Sequence, residues 1–187
     1  RILEQVENAE SEAAGEFTAP KGELIISAPL MFGRLHVLPV VADFLARFPE
    51  INVRLLLSDH LVHLVDDHVD MAVRIGTLPD STLVATRVGA MRTVVCASPT
   101  LLAAHGIPQS PEDLQRLPCV TVETPMPSLG WRFQARGSTA PLDIPIVPRL
   151  SVTTTDAAAQ AAIRSVGVTR LLYYQVAEAI GAGALTI

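Results

Sequence analysis

Residues 26–50 read ISAPLMFGRLHVLPVVADFLARFPE, in which an apolar strand ends at Ser27-Ala28-Pro29 and runs directly into a helical pattern. Apolar residues from Leu24 to Ser27 predict the strand, and the spacing from Phe32 to Phe48 predicts a long amphipathic helix despite Pro39. A second strand follows from Ile51 to Leu57, where apolar residues alternate. Strand, helix and strand therefore succeed one another within about forty residues.

The same alternation continues with a helix over about His60 to Asp67 and a strand over Val69 to Ile75. Such alternation predicts an α/β fold with a parallel, doubly wound sheet, because parallel strands need helical crossovers. In sheets of this kind, ligands bind at the carboxyl ends of the strands.

The second half of the chain shows clear helix starts. Ser98-Pro99 and Ser110-Pro111 each place a cap hydroxyl before a proline at the first helical position. The run Thr153 to Asp156 is an N-cap cluster that opens an alanine-rich helix ending near Gly167. Strands are predicted at Cys119 to Val122, Trp131 to Phe133, Leu142 to Val147, Val168 to Leu172 and Ala184 to Ile187.

Composition excludes several classes of protein. The chain of 187 residues is 49% hydrophobic and carries a net charge of −5, of which −4 comes from one Arg and five Glu in residues 1–20. The 14 Lys and Arg residues are scattered singly, so the chain alone has no basic surface for nucleic acid. Residues 1–20 are interpreted as a linker or the end of a coiled coil, with a disordered tail as the alternative.

The two cysteines, Cys96 and Cys119, stand 23 positions apart and give neither a zinc ligand set nor a disulfide framework. They are interpreted as small buried side chains in a reducing cytoplasm. No secretory signal and no apolar run long enough to span a membrane is present, so a cytoplasmic protein is expected. A mature secreted protein would show the same features.

Three helix starts that follow strand ends carry hydroxyl groups, at Ser27, at Ser58-Asp59 and at Ser151 to Asp156. Free backbone N–H groups and the helix dipole favour an anion at such places, above all a carboxylate. Each one taken alone is more often a plain N-cap. Their recurrence predicts a binding site if two lobes face each other across a cleft.

Metal binding and catalysis find less support. His60, His63 and Asp67 share one helical face, but the opposite face is apolar, so a solvated surface helix is the favoured interpretation. The sequence contains no GxSxG, HExxH, Walker or GxGxxG motif. An enzyme is therefore the weaker hypothesis, and no cofactor and no metal are expected.

Five segments carry a family resemblance: GELIISAP, LPVVADFLARFPEINVRLLLSD, LVDDHVDMAVRIGTLPDSTLVATRVG, VCASPTLLAAHGIP and RLSVTTTDAAAQAAIRSVGVTRLLYYQVAEAIGAGAL. Together, from about Gly22 to Ile187, they resemble the effector-binding domain of LysR-type transcriptional regulators. The resemblance implies a two-lobed fold like that of the type 2 periplasmic binding proteins. Each lobe is a mixed sheet flanked by helices, and hinge strands join the two lobes.

The resemblance also implies a domain organisation. Residues 1–20 correspond to the end of the linker helix that pairs in the family's dimer, and residues 21–187 to the effector-binding domain. Lobe I covers about 22–91 and lobe II about 92–180, and residues 181–187 return towards lobe I. An N-terminal helix-turn-helix and a C-terminal part of lobe I are expected outside this sequence. Arg164-Ser165 stands where the family more often has a small residue and glycine.

By position, the resemblance implies an effector site made by the ends of several elements. The residues are Ser27, Pro29, Ser58, Arg74, Gly76, Thr124, Thr153 and Thr154. Ser27 and Thr154 are expected to donate hydroxyl hydrogen bonds to an effector carboxylate, whereas Arg74 could equally form a surface ion pair.

The function that follows is a sensor domain that binds a small, carboxylated effector between two lobes and thereby controls transcription. The resemblance implies a homodimer or homotetramer that contacts DNA only through its helix-turn-helix, with no membrane partner. A solute-binding protein of a transporter is the alternative, because it shares the fold and the cleft.

Overall fold

In the computed structural model, the described residues are 20–59, 68–76, 78, 83–123, 130–134 and 140–187. The chain divides into two compact units between Thr82 and Leu83. This division lies before the lobe boundary expected near residue 91. Residues 84–92 are exposed and form no helix or strand, which is typical of a connecting segment.

The first unit contains a parallel sheet of three strands, β1 (Gly22–Ala28), β2 (Ile51–Leu57) and β3 (Met71–Ala72), in the order β2-β1-β3. The central position of β1 explains its burial, since Ser27 and Ala28 are both 0% exposed. The predicted parallel alternation is thus confirmed here. Strand β3 is shorter than the predicted 69–75, and the helix predicted at 60–67 lies outside the described residues.

Helix α1 follows β1 directly and consists of three consecutive segments. Leu30–Phe32 and Leu38–Arg47 are α-helical, and Gly33–Val37 between them is a π-helix. Pro39 lies in the first turn of the α-helical segment that follows the π segment, where a missing N–H is tolerated. A Cβ atom on Gly33 would lie 2.2 Å from Leu57 Cδ2, so glycine lets the helix approach the sheet closely.

The second unit contains a mixed sheet of β4 (Thr93–Cys96), β5 (Cys119–Val122), β8 (Pro148–Val152) and β9 (Val168–Leu172), in the order β4-β9-β5-β8. Strand β4 runs antiparallel to β9, whereas β5 runs parallel to both neighbours. Strands β6 (Gly130–Gln134) and β7 (Pro141–Pro145) form a separate antiparallel pair.

One predicted strand is wrong in its extent. The stretch predicted as a strand from Leu142 to Val147 ends at Pro145, and an unpredicted strand, β8, begins at Pro148. Proline lacks the N–H that a sheet ladder requires, so two nearby prolines favour a break. The two strands then pair with different partners, β7 with β6 and β8 with β5.

The helices of the second unit are α2 (Pro99–His105), a 3₁₀-helix (Pro111–Arg116), α3 (Thr155–Ile163) and α4 (Tyr173–Gly181). Both predicted caps are present: Leu101 N–H donates to Ser98 Oγ at 3.1 Å, and Ser110 N–H donates to the Asp113 carboxylate at 2.9 Å. Helix α3 ends at Ile163, four residues before the predicted end, and Ser165 then takes a positive φ of 60°. The predicted strand at 184–187 is reduced to an antiparallel bridge between Ala97 and Thr186.

Apolar side chains pack on both faces of the second sheet. On one face, small residues of α3 such as Ala158 and Ala162 contact Val120 and Leu171 of the sheet. Their small size lets the helix approach closely, and a fully buried valine or leucine side chain contributes about 1.5–3 kcal/mol. A second cluster contains Leu101, Leu114 and Trp131 together with Cys119 of β5 and Val168 of β9.

Cys96 and Cys119 are free, buried thiols, as the sequence indicated. Burial raises the pKa of each thiol to about 11. Neither cysteine is therefore a nucleophile at neutral pH.

Candidate functional site

In the first unit, Ser27 and Arg74 are in direct contact at the carboxyl end of β1. The Arg74 guanidinium donates from Nη2 to Ser27 Oγ at 3.0 Å and from Nη1 to the carbonyl oxygen of Val73 at 3.1 Å. Val73 N–H in turn donates to the carbonyl oxygen of Ser27 at 2.8 Å. Pairing of the chain after β3 with β1 thus brings together two predicted residues that are 47 positions apart.

Arg74 is partly buried and forms no ion pair within the part of the chain that the structure describes. A guanidinium has five N–H donors in a planar fork that matches a carboxylate, and two protein contacts leave donors free. Ser27 is 0% exposed and uses its oxygen as an acceptor, so it fixes the position of the guanidinium. This pair is the candidate anion-binding group of the first unit.

The expected role of the α1 start needs a correction. The N–H of Leu30, the first residue of α1, donates to Asp59 Oδ1 at 2.9 Å. A carboxylate of the protein therefore occupies the position where a ligand carboxylate was expected. The carbonyl oxygen of Pro29 accepts from Gly33 N–H at 2.7 Å and begins the helix. Ser58 lies beside this start, where its N–H donates to the carbonyl oxygen of Ala28 at 3.0 Å.

The predicted site residue Gly76 is exposed and has a φ of +120°, a conformation that residues with a side chain rarely adopt. A Cβ atom there would meet no atom within 4 Å, so backbone conformation and not packing favours glycine. Thr124 lies outside the described residues.

In the second unit, Thr154 is the N-cap of α3, and its Oγ1 accepts from Ala157 N–H at 3.3 Å. Thr154 therefore caps the helix, and its hydroxyl proton can still be donated. Thr153 is exposed. The structure brings both residues to the start of α3, where the sequence placed them.

A cavity of about 900 Å³ opens in the second unit at the carboxyl ends of β5, β8 and β9. The Thr121 and Ser151 hydroxyl groups in its wall are hydrogen-bonded to each other at 3.1 Å. At this edge, parallel strands present ligand-binding groups in open α/β sheets. Among others, the lining includes Glu123, Trp131, Thr155, Arg170 and Gln175.

Sequence reasoning missed several of these wall residues. Ser151 had been included only as the start of a helix-entry segment, and Thr121, Arg170 and Gln175 were not singled out. A signal exists for Thr121 and Ser151, since each is a polar residue between valine or leucine neighbours in an otherwise apolar strand. The side-chain oxygen of Gln175 accepts a local hydrogen bond from Leu172 N–H at 2.9 Å.

Among the described residues, no group of three or more His, Cys, Asp or Glu side chains is arranged to hold a metal ion. The sequence candidates His60, His63 and Asp67 lie outside those residues. The same described part of the chain contains no helix that is long and apolar enough to cross a membrane.

Comparison with known families identifies the chain. The family model described as the LysR substrate binding domain matches residues 18–187. The chain belongs to this family. The resemblance seen in the sequence and the predicted two-lobed α/β fold, like that of type 2 periplasmic binding proteins, are both confirmed.

Relatives with curated descriptions agree with this membership. The chain is 31% identical over 186 residues to the HTH-type transcriptional regulator DmlR of Escherichia coli K12, covering 99% of this chain and 60% of that protein. It is 33% identical over 140 residues to the probable HTH-type transcriptional regulator LtrA of Klebsiella pneumoniae, covering 74% of this chain and 45% of that protein. The chain thus matches at most 60% of the length of these two relatives.

Solved structures show the same fold. CrgA, a LysR-type transcriptional regulator from Neisseria meningitidis, matches with a TM-score of 0.77 and 29% identity over 100% of this chain and 62% of its own. The regulatory domain of CrgA matches with a TM-score of 0.75 over 89% of this chain and 80% of that domain structure. The relatives named here are regulators, and none is a transporter component.

Proposed function

We propose that this LysR-family domain senses a small, carboxylated effector, which it binds to control transcription. The observation that carries this proposal is the contact between Ser27 and Arg74. This contact holds the Arg74 guanidinium at a strand end, where folds of this class bind ligands. Among the described residues, Arg74 has no carboxylate partner.

In this proposal, Arg74 binds the effector carboxylate, and the fully buried Ser27 holds the guanidinium in place. The hydroxyl donors proposed for the second unit are Thr153 and Thr154, at the start of α3, and Thr124. Pro29, Ser58 and Gly76 shape the backbone around the acid group. Asp59 fixes the start of α1, so the dipole of this helix is not assigned to the ligand.

The effector acts by binding one arrangement of the domain better than another, since a ligand shifts an equilibrium only through such a difference. We infer that the regulator is a cytoplasmic homodimer or homotetramer and that its DNA contacts come from a helix-turn-helix domain. The relatives are transcriptional regulators, which supports a role in binding and not in catalysis. No cofactor is assigned to the site.

The proposal is tested by thermal-shift screening of the chain against small carboxylic acids, each paired with its uncharged amide. A ligand at about 100 times its Kd stabilises a fold by about 2.7 kcal/mol. Acids should stabilise the chain, and their amides should not.

Variants then locate the site. Arg74→Gln and Ser27→Ala should each weaken the effect of an acid, with a loss of about tenfold in affinity or more for the arginine. Arg54→Gln removes an exposed arginine from β2 in the same unit and is the matched control. A ligand-induced shift that survives both site variants unchanged would overturn this assignment of the site.

A further inference from the structure

A smaller cavity of about 620 Å³ lies within the second unit, where β4 and β9 meet the β6–β7 pair. Its wall includes the apolar side chains of Val95, Phe133 and Pro141 and the polar side chains of Thr93, Gln134 and Arg170. Its volume is in the range of small-molecule sites, and both polar and apolar side chains line it.

Two arginines, Arg132 and Arg170, line this wall and also the larger cavity. Arg170 is a partly buried residue of β9. Its Nη2 donates to the carbonyl oxygen of Arg132 at 3.0 Å, and its guanidinium carbon lies 5.7 Å from the centroid of the Phe133 ring. Within the described part of the chain, it forms no ion pair. Burial lowers the pKa of Arg170, but an arginine side chain still remains protonated at neutral pH.

Neighbouring charges do not neutralise this cation. Arg132 is paired with Asp143 through two hydrogen bonds of 2.8 and 3.1 Å, which occupy both oxygens of that carboxylate. Glu123 lines the larger cavity but is exposed and makes no ion pair with Arg170. A partly desolvated cation without an anionic partner favours binding of an anion from solution.

We propose that this cavity binds a small carboxylic acid with an aromatic or other apolar body. Arg170 receives the carboxylate through its remaining N–H groups, and the body packs against Phe133, Val95 and Pro141. The site goes beyond the proposed function and does not depend on it, because that function assigns the effector carboxylate to Arg74.

The test is calorimetric titration of the chain with benzoate and with benzamide, which has nearly the same shape and no charge. Trp131, the single tryptophan of the sequence, lines the larger cavity and provides a fluorescence signal close to Arg170. Benzoate should bind saturably and change the Trp131 emission. Benzamide should bind at least about tenfold more weakly, because it cannot form the charge-assisted pair.

Arg170→Gln should weaken benzoate binding by about tenfold or more, whereas Arg170→Lys, which retains the charge, should lose less. Arg164→Gln, at an exposed arginine that lines neither cavity, should bind like the parent chain. In Ser27→Ala and in Arg74→Gln, the benzoate binding that Arg170→Gln removes should remain, which separates a failure of this site from a failure of the proposed function. The proposal is overturned if benzoate does not bind, if benzamide binds equally well, or if Arg170→Gln has no effect.

Discussion

Ser27 combines full burial with a polar side chain, and its surroundings explain why a hydroxyl group stands at that position. Its oxygen accepts from Arg74, and its backbone oxygen accepts from Val73. An unpaired buried hydroxyl costs about 1–3 kcal/mol, so this pairing satisfies the group and also fixes the arginine. Ser27 therefore acts on a ligand through Arg74 in the proposed site.

The two buried thiols lead to a prediction about alkaline stability. Their pKa is raised by burial to about 11 from the ordinary value of 9.0, so between these values the folded chain holds more protons than the unfolded chain. The contribution of the two thiols to the free energy of unfolding is complete below about pH 9 and is lost as the pH rises towards 11. The expected loss is on the order of 2 kcal/mol for each thiol.

Urea unfolding at several pH values measures this loss. The variant carrying Cys96→Ala and Cys119→Ala is the control, since it retains every other group that titrates in the same range. Its stability should fall less steeply between pH 9 and 11 than that of the parent chain. Equal slopes would show that the thiols do not contribute.

At this scale, the sequence predicted which hydroxyl groups lie at strand ends and helix starts, but not the contacts that they make. Hydroxyl groups at strand ends identified Ser27 and Thr154 because caps and turns favour such residues. The contact of Ser27 with Arg74 and that of Leu30 with Asp59 were not predictable. Each joins residues far apart in the chain, and only the pairing of parallel strands determines which ones meet.

The end of helix α3 is a feature of element scale with a specific consequence. Ser165 has a φ of 60°, where a residue with a side chain is disfavoured by about 1–2 kcal/mol relative to glycine. Its hydroxyl group lies 2.7 Å from that of the buried Ser98, which also caps α2. A hydrogen bond between two helix ends therefore offsets the cost of the backbone conformation.

Two substitutions at this position separate the two effects. Ser165→Gly relieves the backbone but loses the hydrogen bond, so its stability should stay within about 1 kcal/mol of the parent chain. Ser165→Ala retains the unfavourable backbone and loses the hydrogen bond, so it should cost about 1 kcal/mol more than glycine does. Thermal unfolding of both variants checks this order, and an alanine variant as stable as the glycine variant would contradict it.

Periodicity predicted the long elements well and the local irregularities poorly. Strands β2 and β9 were predicted at their observed bounds, and α1 within two residues at its start, because their apolar residues repeat clearly. The π segment of α1 and the break between β7 and β8 depend on packing and on strand partners. The fit of Gly33 against Leu57 is a tertiary contact of this kind.

At the scale of the whole molecule, strand alternation established an α/β class but did not separate a regulator from a transporter protein. The family match over residues 18–187 made that distinction. The two units each carry a candidate anion-binding arginine, Arg74 in the first and Arg170 in the second. Neither forms an ion pair among the described residues. Their assignments are independent and can fail separately.

The most direct test of the central claim is a crystal structure of the chain with the carboxylic acid that stabilises it most in the screen. The acid's carboxylate should lie within about 3 Å of the Arg74 guanidinium, which Ser27 holds in place. An acid bound elsewhere, with the Ser27–Arg74 contact unchanged and no ligand beside it, would contradict the account.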